Sequence, residues 1–99
     1  MAIAVLMEIP GGTQEMYDRV MEDLQLEGVP EGGIAHLAGP MEGGWRVLDA
    51  WESQDAFQRF YDERLGAALS AAGVPIDGPP KFAELYNVMT ADGATSPAT

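Results

Sequence analysis

Hydrophobic positions along this chain follow two periods, and the switches between them mark six elements. Ala2 to Ile9 is an apolar run holding a single acid, Glu8. Ile3, Val5, Met7 and Ile9 form one alternating face and Ala2, Ala4 and Leu6 the other, so a strand covered on both sides is expected. Pro10-Gly11-Gly12 ends it. From Thr13, a good N-cap with Glu15 behind it, the period becomes helical: Met16, Tyr17, Val20, Met21 and Leu24 share one stripe that fades near Gln25. The glycine- and proline-rich stretch 28–33 reads as loop. Ile34 to Gly39 alternates again, and Trp45 to Glu52 is rich in aromatic and branched residues, with the hairpin signal Met41-Glu42-Gly43-Gly44 between them. Ser53 caps a second helix with Asp55 in its first turn. Its inward stripe is Phe57, Phe60, Tyr61, Arg64, Leu65, Ala68, Leu69 and Ala72, and Gly73 stops it. After a proline-bearing loop, Phe82 to Met89 returns to strand character, and 90–99 is small, polar and tail-like.

The order is β-α-β-β-α-β. Two helices cover one face of a four-stranded antiparallel sheet, which predicts an α+β, ferredoxin-like (split βαβ) domain over 1–89 with a flexible tail from 90. The hairpin also carries an apolar second face, with Leu37, Leu48 and Ala50 opposite the side of His36 and Asp49. That face needs a cover, and a second copy of the chain is the expected one, giving a homodimer.

Composition narrows the partners. Ninety-nine residues suit one small domain, and at 46% hydrophobic the chain is globular in character. Sixteen acids against five lysines and arginines give a net charge of −11, which repels nucleic acid and anionic membranes. The opening MAIAVLMEIP has no basic leader and meets Glu8 too early for a membrane span. Cysteine is absent, in keeping with a cytoplasmic location, and with a single histidine a protein-built transition-metal site is not expected. No dinucleotide or phosphate-loop pattern follows the paired glycines, so no phosphate cradle for a nucleotide cofactor is expected from them.

The hairpin carries the candidate chemistry. If Glu42-Gly43 is the two-residue turn, counting back places Ala38 across from Val47, His36 across from Asp49 and Ile34 across from Trp51, all on one face. A one-residue shift of the turn would put the histidine and the acid on opposite faces. As neighbours, the carboxylate would fix the imidazole tautomer and raise its basicity, making His36 a base and Asp49 its orienter; the competing reading is a satisfied structural pair. Arg64, on an otherwise apolar stripe, would either reach inward to Asp49 or an anionic ligand, or lie along the core edge. Among the aromatics Trp45, Trp51, Tyr17, Tyr61, Tyr86 and Phe82, the residues singled out to line a pocket are Trp51, Tyr61, Tyr86 and Tyr17, with Arg64 beside them. The alternative for the set is plain core.

With GGWRVLDAWES followed by AFQRFYDERL, this organisation resembles the dimeric α+β barrel proteins, and within them the antibiotic biosynthesis monooxygenase-like group, over residues 2–89. The resemblance implies a barrel formed by two facing sheets, a cleft between each sheet and its helices, and cofactor-independent oxidation of a phenolic or polyketide-type substrate. Many members of that group carry a histidine late in the second helix, where this chain reads RLGAALSAAG. The class-level alternative is a non-catalytic dimeric module that binds a small ligand or only assembles.

Overall fold

A computed structural model describes residues 1–75 and 78–91. Four strands, β1 (Ile3–Pro10), β2 (Gly33–Met41), β3 (Gly44–Trp51) and β4 (Lys81–Glu84), form one sheet in the order β2-β3-β1-β4, with every neighbouring pair antiparallel. Between them run α1 (Gln14–Leu24) and a second helix in three segments: α2 (Gln54–Phe60), a π-helical turn (Tyr61–Leu65) and α3 (Gly66–Ala71). This is an α+β chain with an open antiparallel sheet and two helices, compatible with the ferredoxin-like arrangement.

Both expected caps form. The Thr13 hydroxyl accepts from Met16 N–H and the Ser53 hydroxyl from Ala56 N–H, while Gln25 closes α1 in the left-handed conformation at φ 50°. Ile3 and Val5 of β1 bury against Val20 and Leu24 of α1 and against Phe57, Leu65, Ala68 and Leu69 of the second helix. The alternate face has no helix over it, and there Leu37 and Leu48 stay 59% and 43% exposed.

The hairpin register is the one counted from the turn. Met41 pairs with Gly44, Ala38 with Val47 and His36 with Asp49. Gly44 cannot carry a side chain, because a Cβ there would collide with the Ile9 carbonyl of β1. Gly43 takes φ +75°, and its carbonyl accepts from Gly11 N–H at 2.8 Å, tying the turn to the end of β1.

Three expectations need correction. Ile34 does not face Trp51: a β-bulge between Gly33 and Ala35 places Gly33 opposite Trp51 and leaves Ile34 unpaired. The cause is the loop, since Gly33 N–H turns back to the Pro30 carbonyl and Gly32 O accepts from Glu52 N–H. The last strand is Lys81–Glu84 rather than 82–89. Its register sets Glu84 against Ile3, and one further bond, Leu85 N–H to Ala2 O, uses up β1. Finally, the second helix is interrupted where Gly66 N–H reaches the Tyr61 carbonyl five residues back. That wide turn adds a residue, yet Leu65, Ala68 and Leu69 stay buried on the expected stripe, and of its members only Arg64 is exposed. Of the expected tail, 92–99 lies outside the described residues, as do 76–77 of the loop before β4.

Candidate functional site

Four side chains from three elements join in one hydrogen-bonded row. His36 stands on the edge strand β2 and Asp49 directly across on β3, and Nδ1 of the imidazole lies 2.7 Å from Oδ1 of the carboxylate. Trp51, two residues on and therefore on the same face, donates its indole N–H to Asp49 Oδ2 at 3.2 Å. From α1 above the sheet, the Tyr17 hydroxyl meets His36 Nε2 at 2.6 Å, with the two rings within 6° of parallel. Asp49 is 9% exposed and Trp51 only 2%, yet the His36 side chain keeps 31% of its surface open, because β2 is the edge of the sheet. A buried carboxylate is costly without partners, and here each oxygen has a donor.

These residues form the polar wall of a cavity of about 400 Å³ between the sheet and α1. The other walls are apolar, including Met7, Val20, Met21, Leu26, Val29 and Phe60. Both tryptophans line it, and the Trp45 ring lies 5.4 Å from that of Tyr17. Trp45 Nε1 is the one buried side-chain donor without a partner among the described residues. Trp45 belongs to the aromatic set read from the sequence but was not singled out there as a pocket residue; its place beside the turn, on the face of Val47 and Asp49, was the available signal.

The structure brings Tyr17, His36, Asp49 and Trp51 together and leaves Tyr61, Arg64 and Tyr86 elsewhere. Arg64 does not approach Asp49: from the π-helical turn it reaches the end of α1, where its guanidinium donates to the Leu24 carbonyl. A cation there complements the negative end of the helix. Tyr61 packs against Phe57, at 6.1 Å between centroids, and does not line the cavity. Tyr86, beyond the short β4, is 84% exposed.

Burial first, then the charges of Asp49 and Asp18, raises the Tyr17 phenol above its ordinary value of 10.0. The folded chain therefore holds that proton more tightly than the unfolded chain does. The associated stability is complete below about pH 10 and is lost as pH rises through the folded value. Urea unfolding at about pH 8 and about pH 11 should show a larger loss for the native chain than for Tyr17→Phe, and equal losses would contradict the assignment.

Among the described residues no group of three or more His, Cys, Asp and Glu side chains is placed to hold a metal ion, and no helix is long and apolar enough to cross a membrane. Comparisons with protein-family models, with curated proteins and with solved structures find no match for this chain.

Proposed function

We propose that the chain is a cofactor-independent, monooxygenase-like enzyme that takes a phenolic or polyketide-type molecule into the cleft between sheet and helices. One observation carries the reading: an imidazole, oriented by a buried carboxylate and partly open to solvent, on the wall of an apolar cavity large enough for fused rings. Asp49 holds the Nδ1 proton and leaves Nε2 as the base. Removing a proton from a phenol or an activated ring carbon leaves an electron-rich anion that reacts with dioxygen directly. If a ring methylene is the target, it loses two hydrogens and gains one oxygen while the second oxygen leaves as water, so the balance needs no reductant.

His36→Ala, with the fold retained by circular dichroism, should lower oxygen uptake on hydroxylated tricyclic substrates by about 10²–10⁴-fold. Unchanged turnover would remove His36 from the mechanism. A second reading, ligand binding without turnover, draws on the Tyr17 hydroxyl that already occupies Nε2. It predicts saturable binding with no oxygen uptake in the native chain.

The uncovered sheet face supports a homodimer as part of the same proposal. Exposed Leu37 and Leu48 lie with Ala4, Leu6 and Ala50 on one side of the sheet, beside charged Glu8, Arg46 and Lys81. An apolar centre with a charged border suits a second copy packed face to face. Sedimentation should give twice the chain mass, and Leu48→Glu should return it to one; a native chain that sediments as a monomer at tens of micromolar rules the dimer out.

A further inference from the structure

Hydrogen bonding along the polar wall runs in one direction, and that direction sets what can stand next in the row. An ionised Asp49 only accepts, so its contact with His36 places the proton on Nδ1. Neutral imidazole then offers a bare lone pair at Nε2, and the 2.6 Å contact there requires the Tyr17 hydroxyl to donate. Tyr17 has thereby used its only hydrogen and keeps lone pairs to offer. A molecule that meets the phenol oxygen must therefore be a donor.

The rest of the lining bears on charge. Trp51 takes the second carboxylate oxygen, and the neutral Thr13 hydroxyl and unpartnered Trp45 indole N–H are donors that an oxygen of the same ligand can also meet. None of the five lysines and arginines in the sequence lines the cavity, and its ionisable groups among the described residues are Tyr17, His36 and Asp49. An anionic ligand would bring its charge into apolar walls beside a carboxylate, with no cation to offset the lost hydration.

We propose that Tyr17 is the group the ligand meets. The cavity selects an uncharged ring molecule whose hydroxyl donates to Tyr17 Oη, and Tyr17 passes that proton to His36. In the transfer the ligand O–H bond breaks as a new Oη–H bond forms, and the original Oη–H bond breaks as Nε2–H forms. No electrons change hands. The products are a ligand anion, now receiving a hydrogen bond from Tyr17, and an imidazolium paired with Asp49. Tyr17 begins and ends as a neutral phenol, which is why a phenol that resists ionisation suits the position. The relay half rests on the reading of His36 as the base, whereas the donor preference stands without it.

The test uses three probes of one ring size: 2-naphthol, 2-methoxynaphthalene and 2-naphthoate. Both tryptophans line the cavity, so quenching of intrinsic fluorescence reports entry. The expected order is 2-naphthol tightest, at least about tenfold over 2-methoxynaphthalene as one buried hydrogen bond implies, with 2-naphthoate weakest. In Tyr17→Phe the advantage of naphthol over its methyl ether should fall to about one, with the ether bound as in the native chain. The imidazole of the chain's single histidine gives one unambiguous NMR signal; naphthol should shift it in the native chain and far less in Tyr17→Phe. Equal binding of naphthol and its ether, tighter binding of naphthoate, or a naphthol preference that survives Tyr17→Phe would each overturn the proposal. Donor preference without oxygen uptake would leave the Tyr17 contact standing and remove the enzymatic reading. Turnover indifferent to Tyr17→Phe would do the reverse.

Discussion

Asp49→Asn should reduce turnover by about 10²–10⁴-fold while costing only about 1–2 kcal/mol of stability. The asymmetry comes from the donors around the carboxylate. In the native chain both oxygens accept, one from His36 Nδ1–H and one from the Trp51 indole. An asparagine has one acceptor and one donor group at the same two positions. If its oxygen faced His36, its NH2 would oppose the Trp51 N–H. The satisfied arrangement turns the oxygen to Trp51 and the NH2 to His36 Nδ1, which forces the imidazole into the other tautomer. Nε2 then carries the hydrogen and donates to Tyr17, so the base is gone although every polar group has a partner. The Tyr17 hydroxyl is released to donate, and the native preference for donor ligands should weaken or invert. Steady-state oxygen uptake, urea unfolding and the naphthol-to-ether affinity ratio read the three consequences. An Asn variant as active as the native chain would show that the carboxylate does not set the tautomer.

Phe57→Ala should cost about 3–5 kcal/mol, a large part of the roughly 5–15 kcal/mol that stabilises a domain of this kind. Phe57 is 1% exposed and stands where the second helix meets the sheet. Its ring lies edge-on to Trp51 at 5.6 Å and to Phe82 at 5.8 Å, with Tyr61 at 6.1 Å, so one side chain links α2 to β3 and β4. Truncation removes those contacts, and the neighbours on the strands are held by their ladder bonds and cannot close the space. The urea midpoint reports the loss, and a cost below about 1 kcal/mol would mean that the ring is not packed as described. Because Trp51 also donates to Asp49, the same substitution should loosen the polar wall, seen as broadening of the His36 signal.

Much of this molecule was legible from local pattern. A two-residue turn at Glu42-Gly43 fixes the hairpin by counting, and the alternation of strand side chains then obliges His36 and Asp49 to share a face. Thr13 and Ser53 announce their helices because a short hydroxyl side chain satisfies amide groups that an advancing helix leaves bare. Where the reading failed, a longer-range constraint had intervened. Ile34 lost its partner to a bulge set by the loop before it. Arg64 left the inward stripe because its guanidinium reaches the Leu24 carbonyl that the end of α1 leaves bare. Tyr86 fell outside the sheet because β1 has no further partner to offer.

By itself, then, the sequence determined the element order, the two apolar faces of the sheet and the pairing of imidazole with carboxylate, all consequences of short-range periodicity and turn geometry. Only the tertiary structure decided which sheet face the helices cover, how α1 is rotated about its axis, and hence that the Tyr17 hydroxyl closes on His36. Those choices depend on side chains far apart in the chain packing without voids, and no local pattern encodes that condition.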